Sequence, residues 1–327
     1  MPAMLKLLIV KTSSLGDVIH NLPVLADARA HFPDAQIDWV VEESFADIPR
    51  MHPYVNQVFT VAFRRWRKQL LSATTWAEIN QFKKIIKKNQ YDVVIDTQGL
   101  LKSALITHYA HGLKHGYDKN SIREPLASRF YDVIHAISYK QHAVTRNRTL
   151  VAQSLDYALP LDYDLHTGAP DYGIITSKSA LSLPNKFIIA LHGTSRDSKL
   201  WPTQHWVELG LALNKQGLSL VLPWASDAEQ ARAQIIHQQV ANSIVLPKLN
   251  ISELAGVIAQ AQVAIGVDTG LSHLAAALNI PTIAIYTDTN PVLTGVMAGA
   301  KAKTINLGGI SQTPSVDLVL QALKQVL

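Results

Sequence analysis

Three loops in this 327-residue chain hold side chains that could do acid–base or anion-binding chemistry. The first, Lys11-Thr12-Ser13-Ser14-Leu15-Gly16-Asp17, follows an apolar run and sets one carboxylate beside hydroxyls and a lysine. Asp17 there can take a proton from a substrate hydroxyl. It can equally cap a following helix, because the first-turn dipole favours negative charge. Spacing alone leaves both readings open. Gly16 permits a turn or a close backbone approach to a ligand. The loop has neither Gly-x-Gly-x-x-Gly nor Gly-x-x-x-x-Gly-Lys-Ser/Thr, so dinucleotide-fingerprint and P-loop readings lose their main support.

The second loop, His192-Gly193-Thr194-Ser195-Arg196-Asp197-Ser198-Lys199-Leu200-Trp201-Pro202, is rich in hydroxyls and cations. Thr194 and Ser195 can donate to phosphate oxygens and Lys199 can supply a mobile point charge. It also fits an ordinary polar loop with Pro202 opening the next helix. In the third, Gly266-Val267-Asp268-Thr269-Gly270-Leu271-Ser272-His273-Leu274, free N–H groups at a helix start form an anion site, with Gly270 clearing the approach. Asp268 could instead accept from sugar hydroxyls. His273 reads equally as a buried, satisfied histidine. The single Asp-Thr-Gly does not make an aspartic protease, which needs two facing copies.

Two basic clusters stand apart from these loops. Arg64, Arg65, Arg67 and Lys68 surround Trp66, and Lys83, Lys84, Lys87 and Lys88 lie on a helix with Trp76, Ile79, Phe82 and Ile86 on its apolar face. Such clusters are usually solvated faces or nucleic-acid patches. No aromatic stacking motif of the RRM type supports RNA here.

The elements that must position these loops are alternating short β-rich runs and amphipathic helices, the pattern of an α/β protein with parallel sheets. Strands are predicted at Leu5–Val10, Ile37–Glu42, Val58–Phe63 and Tyr91–Asp96, with helices at Leu22–His31 and Trp76–Lys88. The series restarts with strands at Phe187–Leu191, Ser219–Pro223, Ser243–Leu246, Val263–Val267, Pro281–Tyr286 and Thr304–Leu307. All three loops follow a strand, where open α/β sheets bind ligands. Turn formers Pro160, Gly168, Pro170, Gly173 and Pro184 mark a linker between the two series. Ser315–Leu327 reads as a terminal helix.

Hydrophobic residues make up 48% and charged ones 17%, as expected of an ordered globular protein. The longest apolar stretches are strand-sized, and Met1–Val10 reads as a strand rather than a secretory signal. Cysteine is absent, which excludes disulfides and thiolate chemistry and points to a reducing, cytoplasmic setting. The net charge of +5 implies attraction to anions without naming them.

Taken in order, KTSSLGDVIHNLP at 11–23, DWVVEE at 38–43, RRWRK at 64–68, DTQGLLKSA at 96–104, HGYD and REPLAS around 115–128, HGTSRDSKLWP at 192–202, LPWASDAEQAR at 222–232 and VDTGLSHLAAAL at 267–278 resemble the bacterial lipopolysaccharide heptosyltransferases. The likeness is greatest to those that add the first heptose. It implies a GT-B fold: two Rossmann-like α/β/α domains facing across a cleft, with the C-terminal helix returning to the N-terminal domain. The corresponding domains are an acceptor domain at 1–165, a linker at 166–186, a donor domain at 187–312 and a helix at 313–327 packing back on the first domain.

The resemblance implies inverting transfer from ADP-L-glycero-β-D-manno-heptose to a Kdo residue of Kdo2-lipid A, with no cofactor and no divalent metal. Asp17 matches the general base, acting with Lys199. Thr194, Ser195, Lys199, Glu229, Asp268, Thr269, Gly270 and His273 match donor contacts. On the acceptor side stand Ser14, Gly16, Arg64, Arg65, Arg67 and Lys68, with Lys102, His115 and Arg123. Thr287 stands where the family usually has glycine, and either alters the adenine or ribose pocket or changes a turn. The expected protein is a cytoplasmic monomer without nucleic-acid partners, peripheral on the inner membrane's cytoplasmic leaflet. The alternatives are an enzyme adding the second heptose, or a non-catalytic nucleotide-sugar binder with no need of Asp17.

Overall fold

Apolar runs of four or five residues, such as Leu7–Val10 and Phe187–Leu191, have nearly every side chain buried. That is the condition of strands covered by helices on both faces of a parallel sheet. A computed structural model describes residues 4–159 and 169–327. The chain divides into two units, one through Ile174 and the other Ile175–Leu327. This boundary falls inside the expected linker, whose positions 166–168, like Pro160, lie outside the described residues.

The first unit's strands are β1 (Lys6–Val10), β2 (Gln36–Glu42), β3 (Val55–Val61), β4 (Gln90–Asp96), β5 (His111–Tyr117) and β6 (Val133–His135). They form one sheet in the order β3-β2-β1-β4-β5-β6, parallel throughout. Leu7 of β1 lies opposite Ile37 on one side and Val93 on the other. The order reverses between β1 and β4, and in such sheets the ligand crevice opens at the carboxyl ends of the strands flanking the reversal. Leu8, Val10, Val40, Val94 and Ile106 make the core on one face.

The second unit repeats this plan with β7 (Phe187–Leu191), β8 (Ser219–Leu222), β9 (Ser243–Val245), β10 (Val263–Val267), β11 (Thr282–Tyr286) and β12 (Thr304–Gly308) in the order β12-β11-β10-β7-β8-β9. Its reversal lies between β7 and β10. Trp201 and Trp206 are fully buried and meet edge to face at 5.0 Å. The Trp201 indole N–H donates to the Pro314 carbonyl at 2.9 Å, so burial costs it no hydrogen bond.

Two features differ from the sequence expectation. β5 (HGLKHGY) and β6 carry no apolar run long enough to mark them, and their place is set by pairing with β4 and with each other. On β5 the Tyr131 ring packs so close to Gly116 that an added Cβ would meet it at 2.3 Å. β3 ends two residues early, and the chain turns at once into a short helix, Phe63–Trp66. The final helix, Val316–Val326, falls within the second unit. Its residues Val319, Ala322, Leu323 and Val326 are part of that unit's core, against helix Thr203–Asn214 and strands β11 and β12. A helical period shows that a stripe is buried, not which neighbour buries it.

Candidate active site

In the first unit the loop after β1 leads into a short helix, Leu15–Ile19, with Ser14 at its N-cap and Asp17 in its first turn. The Ser14 backbone N–H and hydroxyl both donate to Asp17 Oδ2, at 2.7 and 2.9 Å. One carboxylate oxygen thus caps the helix; Oδ1 takes no protein hydrogen bond among the described residues. The cap reading and the proton-acceptor reading are therefore compatible, each using a different oxygen.

The loop after β4 buttresses this one. Gln98 Oε1 accepts from the backbone N–H groups of Thr12 and Ser13, both at 3.1 Å. Lys102 Nζ donates to the Ser13 hydroxyl at 2.7 Å, and Lys11 Nζ to the Thr97 carbonyl at 2.8 Å. Beneath them Asp96 accepts from the N–H groups of Gln98 and Gly99 and from the Tyr131 hydroxyl. Burial raises the Asp96 carboxyl above its usual range while these donors pull it back. Burial lowers both lysines, opposed by Asp17 and Asp96 at Lys11 and chiefly by Glu42 at Lys102. The result is a floor of hydrogen-bonded polar groups that fixes the loop carrying the carboxylate.

The basic cluster is split by its surroundings. Arg65 is held by Glu43 at 3.1 Å and Glu78 at 2.9 Å. Trp66 donates to the same Glu78 at 2.6 Å. Arg64 has its guanidinium 4.7 Å from the Phe45 ring centre and remains exposed, as do Arg67 and Lys68. Arg64, Arg65 and Lys68 line a small hollow with Glu42, Glu43 and Ser44. Arg123 is exposed after β5. His115 does not join these groups: it is buried on β5 with Nδ1 3.0 Å from His135 Nε2. Burial, and then its neighbour His135, lower its pKa.

In the second unit the loops after β7, β10 and β11 are laced together. Lys199 Nζ is 2.6 Å from Asp268 Oδ2, and the Thr194 hydroxyl donates to the Asp268 carbonyl at 2.9 Å. The Thr289 hydroxyl also donates to Asp268 Oδ2. Ser195 is exposed at the loop's tip. Thr269 is the N-cap of helix Gly270–Ala277, so the helix presents its first N–H groups where Gly270 leaves them uncovered. His273, one turn in, is buried. Glu229 closes a capping box with Ser226 and accepts from the Ala225 N–H at 2.7 Å. Its Oε1 packs so near Gly193 that a Cβ there would approach to 2.4 Å and the Glu229 side chain would have to shift. Burial pushes His192, just after β7, down to about 4, which keeps it neutral in the interior of the second unit.

Thr287 finds a specific use. Its hydroxyl donates to the Ser198 carbonyl at 2.7 Å, while the Ser198 hydroxyl donates to Asp288 at 2.6 Å. The side chain ties the β11 loop to the Lys199 loop. Gln98, Thr289 and Asp288 also take part, and the partners of Gln98 and Lys11 are about 86 residues away, beyond the reach of any single loop.

Comparison with known proteins bears on both units. The profile of glycosyltransferase family 9 (heptosyltransferase) matches residues 79–323. Lipopolysaccharide heptosyltransferase 1 of Pseudomonas aeruginosa is 47% identical over 293 residues, covering 89% of this chain and 81% of the relative. That of Escherichia coli K12 is 46% identical over 295 residues, covering 89% and 90%. The solved structure of E. coli heptosyltransferase WaaC with ADP superposes with a TM-score of 0.89 at 42% identity, covering 98% of this chain and 99% of that one.

Proposed function

This chain belongs to glycosyltransferase family 9, the heptosyltransferases, and from that premise we propose that it transfers a heptose from ADP-L-glycero-β-D-manno-heptose to a Kdo residue of Kdo2-lipid A. The chain is a glycosyltransferase of the GT-B type, with two Rossmann-like domains. The 47% identity to a heptosyltransferase 1 supports first-heptose transfer over second. So does the Arg64–Lys68 cluster, whose cations suit an acceptor bearing phosphates and carboxylates.

The observation that carries the mechanism is the division of labour within Asp17. Oδ2 is pinned by Ser14, which orients the carboxylate and leaves Oδ1 to accept a proton. In the proposed step a Kdo hydroxyl oxygen attacks the anomeric carbon from the face opposite the diphosphate. Its proton passes to Asp17 as the bond between that carbon and the diphosphate oxygen breaks. Aspartate is a weak base at neutral pH, so it takes the proton late, when the attacking oxygen has become acidic. Inversion at the anomeric carbon follows from the single displacement.

The leaving ADP gains negative charge. Lys199 and the N–H groups at the start of helix Gly270–Ala277 are suited to stabilise it, which is the service a divalent ion provides in other transferases. We therefore assign Thr194, Ser195, Lys199, Glu229, Asp268, Thr269, Gly270 and His273 to the donor, and propose that turnover needs no metal. Ser14, Gly16, Arg64, Arg67, Lys68, Lys102 and Arg123 are assigned to the acceptor. Arg65 contributes by holding the cluster in place through Glu43 and Glu78.

Such an enzyme works in the cytoplasm at the leaflet that presents the lipid acceptor, and no helix among the described residues is long and apolar enough to cross a membrane. Incubating the protein with ADP-heptose and Kdo2-lipid A, with and without chelator, and weighing the product tests the proposal. A heptose adduct in both samples is expected. A nucleotide-sugar binder without transferase activity gives none.

A further inference from the structure

Beside the basic cluster the first unit leaves an apolar face uncovered. After the short helix Phe63–Trp66 the chain runs out to Leu70 and Leu71, which are 55% and 102% exposed, and returns as helix Ala73–Lys88 with Trp76 51% exposed. Trp76 donates its indole N–H to the Leu70 carbonyl at 2.8 Å, so the tip is held to the helix rather than left loose. Behind it lies a groove of about 320 Å³ walled by Phe63, Trp66, Phe82, Leu105 and Tyr109. Arg67, Lys83 and Lys102 stand along it, and no carboxylate lines it. Lys83 and Lys87 place their ammonium groups 4.7 and 5.3 Å from the Tyr109 ring centre, fixing positive charge beside the apolar wall.

We propose that this face seats the enzyme on an anionic lipid bilayer, a proposal that rests on the reading above of a lipid-borne acceptor. Leu70 and Leu71 enter the acyl region, Trp76 lies at headgroup depth, and the lysines of helix Ala73–Lys88 face the lipid phosphates. Charge selects this occupant. A soluble helical partner would be met by the apolar wall alone, whereas apolar side chains at a tip ringed by Arg and Lys match the layered polarity of an anionic leaflet. The face also adjoins Arg64, Arg67 and Lys68, so docking would bring the acceptor cluster to headgroup level.

The chain has no cysteine, so Leu71→Cys accepts a single polarity-sensitive fluorophore, and Gln238→Cys on an exposed helix of the second unit serves as control. Each is mixed with vesicles of phosphatidylcholine alone or with an equal part of phosphatidylglycerol. Co-sedimentation is measured for the unlabelled protein and for the pairs Leu70→Ser with Leu71→Ser and Lys83→Gln with Lys87→Gln. The expected result is binding to the anionic vesicles only, weakened at least about tenfold by either pair. The label at 71 should shift to the blue and the one at 238 should not. Both pairs should still transfer heptose to a water-soluble, deacylated acceptor. Wild-type indifference to phosphatidylglycerol, undiminished binding by the leucine pair, or a label at 71 that stays in water overturns the proposal. So does burial of that label by self-association without lipid. Failure of the wild-type protein on the deacylated acceptor would instead count against the activity and leave docking to the vesicle results.

Discussion

Lys199 Nζ lies 2.6 Å from Asp268 Oδ2, joining the loop after β7 to the loop after β10 across the reversal point of the second sheet. Both side chains are only 14% exposed, and Thr289 donates to the same carboxylate oxygen. Asp268 therefore holds the lysine at a defined place.

Removing one partner strands the other. Lys199→Met should destabilise the protein by about 1–3 kcal/mol, less than the loss at a fully buried pair. Transfer efficiency should fall about a hundredfold as well. Adding Asp268→Asn should restore most of the stability and none of the activity. Urea unfolding and steady-state kinetics on the three variants separate the two effects.

Asp17→Asn should lower kcat by about a thousandfold and leave ADP affinity unchanged. The amide oxygen can still accept from Ser14, so the helix cap survives, whereas Asp17→Ala should also lose about 1 kcal/mol of stability. Calorimetry with ADP and single-turnover assays distinguish a lost base from a lost cap.

Arg64→Gln should raise the acceptor KM and leave the donor KM alone. Arg65→Gln should act less directly, freeing Glu43 and Glu78 and loosening the Trp66 turn that Glu78 holds. An equal rise in both constants for Arg64→Gln would remove it from the acceptor side.

Thr287→Gly should cost about 1 kcal/mol by deleting the hydrogen bond to Ser198 and should raise the donor KM. Thr287→Ser should behave as wild type in both respects. A glycine variant with unchanged donor binding would show that the tether serves the fold alone.

Stability should fall steeply in mild acid. His192 and His52 are pushed by burial from 6.5 to about 4, so between these values the unfolded chain binds protons that the folded one does not. Their contribution is complete above about pH 6.5 and is lost as pH falls toward 4, at about 1.4 kcal/mol per pH unit for each histidine. His192→Asn should flatten the slope of unfolding free energy against pH by one proton.

How much of this was legible in the chain depends on the range of the interactions. The second unit's strands carry apolar runs or, in β12, alternating apolar residues, and each was readable to within one residue. β5 was not, because His111, Lys114 and His115 interrupt its pattern and its position is enforced by β4. Asp17, Lys199 and Asp268 declared themselves by lying after strands. Their partners did not: Gln98 reaches Thr12 across 86 residues, and Thr287 reaches Ser198 across 89. Nothing local in the Arg64–Lys68 run distinguishes Arg65, which two glutamates hold, from its exposed neighbours.

The most direct test is the mass of Kdo2-lipid A after incubation with ADP-heptose and excess chelator, run in parallel for the wild type and Asp17→Asn. Gain of one heptose by the wild type, with stoichiometric release of ADP and about a thousandfold less product from Asp17→Asn at the same early time, is the predicted result. An unmodified acceptor with the wild type, or equal product from Asp17→Asn, would contradict Asp17-dependent heptosyl transfer.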